Sequence, residues 1–130
     1  MRKRMRSTMS PVDRTLDGPV LVHRLDKDEQ TIDRELVQTH GRSARTLVKE
    51  GPLRLTLMAI AAGGNVPAHT ADGPVSIQLL EGDVTFTGGG ESHTLDVGDV
   101  IVYAASVEHA ATSTSGCLLL LTVVHLKSVE

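Results

Sequence analysis

Aromatic residues are nearly absent from this chain: Phe86 and Tyr103 are the whole supply, 2% of the sequence, with no tryptophan. A platform for stacking bases or sugar rings is therefore hard to build, and aliphatic side chains must fill the interior. Excess positive charge is also missing. The formal charge of −3 gives no broad field for a nucleic acid, so no such partner is expected. No run approaches the roughly 20 apolar residues that cross a bilayer. The basic cluster Arg2, Lys3, Arg4 and Arg6 is not followed by the apolar region of a secretory signal. The expectation is a soluble cytoplasmic protein with no membrane partner. Cys117 is the only cysteine, which leaves no internal disulfide. In Cys117-Leu118-Leu119-Leu120-Leu121 it reads as a small buried hydrophobe, because no base that would activate a thiolate is in sight.

What remains is 130 residues, 40% hydrophobic, enough for one core and one domain. Residues 1–20 hold Ser10-Pro11 and Asp17-Gly18-Pro19 and read as a flexible arm, with 21–130 as the domain. Val20-Leu21-Val22 is a candidate edge strand. The spacing of Ile32, Leu36 and Val37 predicts one short helix near 31–40, with Thr31 as N-cap and Gly41 as its end. Beyond Gly41 the apolar period becomes two. Strands are expected over Ala44–Lys49, from Leu53 to about Ala61, and over Val66–His69, Val75–Leu80, Val84–Thr87, His93–Val97, Val100–Tyr103, Glu108–Thr112 and Leu118–His125. In the second of these, Arg54, Thr56, Met58 and Ile60 pass from polar to apolar on one parity, as in a strand running from a rim into a core. Glycine-bearing turns such as Glu81-Gly82-Asp83 and Gly98-Asp99 separate the runs, and none has the strand-to-helix context of a phosphate loop. The fold class is all-β, a sandwich or barrel of mostly antiparallel strands with one short N-terminal helix.

Gly64-Asn65-Val66-Pro67-Ala68-His69-Thr70-Ala71, then Leu80-Glu81-Gly82, Leu95-Asp96-Val97-Gly98-Asp99 and His109 together resemble the small single-domain cupins of the RmlC-like kind. The resemblance spans about residues 42–124. It is nearest to a subgroup with a Gly-Pro pair before the strand ending in Leu-Glu-Gly. It implies a double-stranded β-helix, or jelly roll, of six to eight strands, commonly dimeric, with a ligand cavity inside the barrel. It also implies an incomplete metal motif. The family's first motif carries two histidines and a glutamate. Here those positions read as His69, Ala71 and, counting back from Gly82, Ser76; the second motif's histidine corresponds to His109.

Alanine has no donor atom and serine is a poor ligand for a divalent transition metal. Three outcomes stay open: a metal site on His69 and His109, a metal-free pocket, and a filled structural cavity. The favoured reading is a small-molecule pocket in which His69, Ser76, Gln78 and His109 are the ligand contacts, with Leu57, Met58, Leu80 and Val102 as candidate walls. The alternative is a metal-dependent enzyme such as a dioxygenase or isomerase, with His69 and His109 holding iron, manganese, zinc or nickel. No cofactor and no catalytic residue follows from the residues themselves. Leu118–Val124 is apolar on both parities and asks for cover on both faces, which a homodimer would supply.

Overall fold

The computed structural model describes residues 18–126. Most of the expected N-terminal arm, including its basic cluster, lies outside the described residues. The domain opens with α1 (Leu25–Asp28), a 3-10 turn (Glu29–Thr31) and α2 (Arg34–His40). The expected helix is therefore shorter at its start, and a second helical turn precedes it. Asp33, not Thr31, is the cap: its carboxylate accepts from the backbone N–H groups of Glu35 and Leu36, while the Thr31 hydroxyl donates to the carbonyl of Asp28. Gly41 ends α2 in the left-handed region, φ 86°. Val20–Val22 forms no strand.

Among the described residues nine strands follow: β1 (Arg42–Glu50), β2 (Leu53–Ile60), β3 (Asn65–His69), β4 (Val75–Gly82), β5 (Val84–Gly88), β6 (Glu91–Leu95), β7 (Val100–Tyr103), β8 (His109–Thr112) and β9 (Cys117–Val124). They pair antiparallel into a five-stranded sheet, β1-β2-β9-β4-β7, and a four-stranded sheet, β3-β8-β5-β6. The two sheets face each other as a jelly roll. Alternation along each strand sends one parity into the space between them. There Ile60, Val75, Ile77, Leu79 and Leu119 of the larger sheet meet Val84, Phe86 and Ala111 of the smaller one.

The other face of the larger sheet has its own core. Leu57, Ala59 and Leu118 are covered by Ile32 and Val37 from the helical segment. His23 fastens this cover, with Nδ1 2.8 Å from an Asp28 carboxylate oxygen and Nε2 3.0 Å from the Leu47 carbonyl. Strand β9 is thus apolar on both parities because it runs through the middle of the larger sheet. Leu119, Leu121 and Val123 face the barrel, and Leu118 and Leu120 face the helices. The cover that the sequence asks for comes from the chain itself. Cys117 is buried at the start of β9, and burial pushes its thiol up to about 11. At the same end, the Asp83 carboxylate accepts from the Thr114 and Ser115 N–H groups and the Ser115 hydroxyl, which together hold its pKa below the usual carboxylate value.

Candidate functional site

In the smaller sheet β3 and β8 pair so that His69 lies directly opposite His109. Cross-strand partners share a face, and the two rings are 4.5 Å apart between centroids, tilted by 60°. Each imidazole is oriented in the same way. His69 Nδ1 lies 3.0 Å from the carbonyl oxygen of Pro67, and His109 Nδ1 lies 3.0 Å from that of Val107. A carbonyl can only accept, so each Nδ1 carries the hydrogen and Nε2 is left for another partner. His69 is exposed, whereas His109 is 5% exposed against the apolar interior.

Tyr103 of β7 stacks on His109, centroids 4.4 Å apart and planes 5° from parallel, and its other neighbour is Phe86 at 6.3 Å. Gly88, the β5 partner of His109, makes this stack possible. A Cβ there would stand 2.7 Å from the Glu108 carbonyl oxygen and 2.9 Å from both His109 Cβ and Tyr103 Cε1. Burial raises the pKa of the Tyr103 phenol, so the hydroxyl keeps its proton at neutral pH. An open depression of about 560 Å³ beside the β5–β6 hairpin is lined by Ala68, Gly88, Glu108 and His109 among others. Sequence reasoning missed Tyr103 and Gly88. The usable signal was the alternation in β7, which puts Tyr103 on the same parity as Ile101.

Ser76 and Gln78 do not join the histidines. On β4 it is Val75, Ile77 and Leu79 that face the barrel, each 3% exposed or less. Val75 pairs with Tyr103, fixing that parity inward. Ser76 pairs with Val102 and Gln78 with Val100, both exposed, and the Gln78 amide donates to the Gly98 carbonyl. The counting error has a local cause, because a register irregularity between Leu79 and Glu81 separates Gly82 from the regular part of β4. Of the candidate walls only Met58 packs into the barrel. Leu57 and Leu80 belong to the helical side, and Val102 is 64% exposed.

A metal ion finds a short donor set here. Among the described residues no three His, Cys, Asp or Glu side chains converge, and the inward residue of β4 nearest Tyr103 is Val75. Two imidazoles with free Nε2 atoms fit the partial coordination of a weakly held ion and do not close a shell.

The family profile described as Cupin domain matches residues 56–124, just over half of the chain. The chain belongs to the cupin family. Solved structures agree on the fold. A conserved protein of unknown function from Streptococcus pyogenes is 21% identical with a TM-score of 0.64, the match covering 88% of this cupin and 95% of that chain. An RmlC-like cupin from Shewanella frigidimarina is 19% identical, TM-score 0.64, over 68% of this chain and 79% of its own. The salicylate 1,2-dioxygenase of Pseudaminobacter salicylatoxidans is 18% identical, TM-score 0.74, over 87% of this chain and 37% of that longer one. A search of curated proteins found no match. No helix among the described residues of the cupin is long and apolar enough to cross a membrane.

Proposed function

We propose that this cupin binds a small molecule beside His69 and His109, at one end of the barrel. The cross-strand pair carries the reading. Both rings are held through Nδ1 by a carbonyl, both leave Nε2 to a ligand, and one ring is exposed while the other is backed by the apolar interior. A few fixed polar groups against an apolar wall orient small ligands well. Saturation-transfer NMR with a library of small polar compounds tests it. Hits on the unaltered protein should vanish in His69→Ala and His109→Ala; a library with no histidine-dependent hit would overturn the proposal.

The second reading is a metal-dependent enzyme of the dioxygenase or isomerase type, favoured by the same two free Nε2 atoms. His69 and His109 would hold an iron, manganese, zinc or nickel ion, whose Lewis acidity would polarise a substrate oxygen. Elemental analysis of untagged protein separates the readings. Metal that persists when both histidines are alanine sinks the second.

We further read the cupin as a cytoplasmic homodimer. Val100 and Val102, 51% and 64% exposed on the edge strand β7, support an interface between two copies, and the lone buried thiol of Cys117 suits a reducing compartment. Light scattering should give twice the chain mass at micromolar concentration, and a monomer there removes the dimer.

A further inference from the structure

Each sheet ends in strands with a neighbour on one side alone, and such edges invite another strand unless something blunts them. Among the described residues every edge but one is blunted. Strand β1 carries Arg42, Arg45, Lys49 and Glu50, β3 carries Pro67 and His69, and β6 carries Glu91 and His93. The remaining edge, β7, reads Val100-Ile101-Val102-Tyr103, with no charge and no proline. Its pairing with β4 settles which of its backbone groups are free. The Leu79 N–H donates to the Asp99 carbonyl, so on this antiparallel ladder Asp99, Ile101 and Tyr103 turn their polar groups toward β4, and Val100 and Val102 turn theirs away. No described strand lies on that side. The side chains of the same two valines are 51% and 64% exposed, on the outer face of the larger sheet beside Gln78 and Ser76.

We propose that β7 pairs antiparallel with β7 of a second copy of the chain, in one register whose two-fold axis passes through Ile101. The inference rests on the homodimer reading above and names the strand and register that make it. Two constraints select the register. Opposed residues must share a face of the sheet, and residues whose N–H and C=O groups point outward must stand opposite one another. Setting Ile101 against Ile101 of the second copy meets both. Each Val100 then exchanges both backbone bonds with Val102 of the other copy, and the exposed valine side chains cover each other on the outer face. An axis at Val100 or at Val102 also keeps the faces, but it sets the other valine against Gly98 or Ala104, outside the strand. The Ile101 axis places each Asp99 opposite Tyr103 of the other copy and keeps the two carboxylates well apart, whereas an axis at Val100 draws them together. What fits this edge is therefore the edge itself. Pairing here also holds from both sides the strand that carries Tyr103, the ring stacked on His109.

Single cysteines read the register. The opposed Cα atoms at Ile101 would stand about 4.5 Å apart, within reach of a disulfide, whereas the two copies of Val100, or of Val102, would stand more than about 7 Å apart and beyond it. Oxidised Ile101→Cys should run as a covalent dimer on a non-reducing gel. Val100→Cys and Val102→Cys should run as single chains, and the buried Cys117 takes no part. Val102→Pro removes an N–H that β4 does not use, so circular dichroism should report the native fold. Analytical ultracentrifugation should then show the dimer dissociation constant raised about a hundredfold, about tenfold for the donor lost from each copy. Val102→Thr keeps the N–H and should keep the dimer. Linking through Val100→Cys or Val102→Cys in place of Ile101→Cys, or a dimer indifferent to a folded Val102→Pro, overturns the β7 pairing and leaves the homodimer to another surface. Should Val102→Pro fail to fold, the cysteine series decides alone. An unaltered protein that is monomeric at micromolar concentration removes both.

Discussion

Gly88→Ala is the most informative single change, because it adds one carbon at the point where the candidate site is tightest. The new Cβ would lie below 3.0 Å from a backbone oxygen, the His109 Cβ and the Tyr103 ring at once. None of these is the free end of a flexible chain, so strand β5 must move from β8 or Tyr103 must leave its stack. Overpacking of this kind costs about 1–3 kcal/mol. Losing a glycine from the unfolded chain returns about 0.4–1 kcal/mol. The expected net loss is about 1–2 kcal/mol, and with a urea slope near 1.5 kcal/mol/M the midpoint should fall by about 1 M. Urea unfolding followed by circular dichroism measures this, and the His109 imidazole proton shifts report whether the Tyr103 ring has moved. Gly90→Ala is the control: a Cβ there meets nothing within 4 Å and pays only for a φ of +82°, so it should lower the midpoint without disturbing His109. A Gly88→Ala protein with an unaltered midpoint and unaltered His109 resonances would refute the packing argument.

Ser106 is the one described non-glycine residue with positive φ, 69°, and its N–H bonds to the Ala71 carbonyl. Ser106→Gly should stabilise the protein by up to about 1 kcal/mol, the relief of the left-handed strain less the added freedom of the unfolded chain, measured as a raised urea midpoint. Asp83, with its lowered pKa, contributes stability that is full above the ordinary carboxylate value near 3.9 and is lost as pH falls through its lower folded value. Asp83→Asn should therefore flatten the acid side of a stability-against-pH curve, and an unchanged curve would remove the Ser115 and Thr114 contacts as its cause. Cys117, buried and with its pKa pushed up to about 11, should resist a thiol reagent at pH about 8 in the folded protein and react on unfolding. Rapid native labelling would contradict its burial.

Strand positions and turns along the chain were legible because glycine and acidic residues punctuate the apolar runs, and Val100–Tyr103 was placed to the residue. In β2 the parity of Met58 and Ile60 does enter the barrel, whereas Leu57, also expected as a wall, faces the helices. The ladder brings His69 and His109 together, as the resemblance to the cupins implied. The face of β4 was misread because the counting started at Gly82, across a local irregularity, instead of from the three aliphatics Val75, Ile77 and Leu79 that already declared the inward side. Nothing in the sequence marks β7 as an edge, since that depends on which strands arrive around it. The cover of β9 was equally a matter of tertiary order: a strand apolar on both sides can be roofed by its own chain or by another, and here the helical segment carrying Ile32 and Val37 provides the roof.

That roof bears on how the protein can be shortened. The family signature begins at residue 56, inside β2, whereas the second core needs β1 and the segment carrying Ile32 and Val37. A fragment trimmed to the signature would put Leu57, Ala59 and Leu118 into water along an open sheet edge, an invitation to clump. The smallest autonomous folding unit is thus larger than the stretch by which relatives recognise one another.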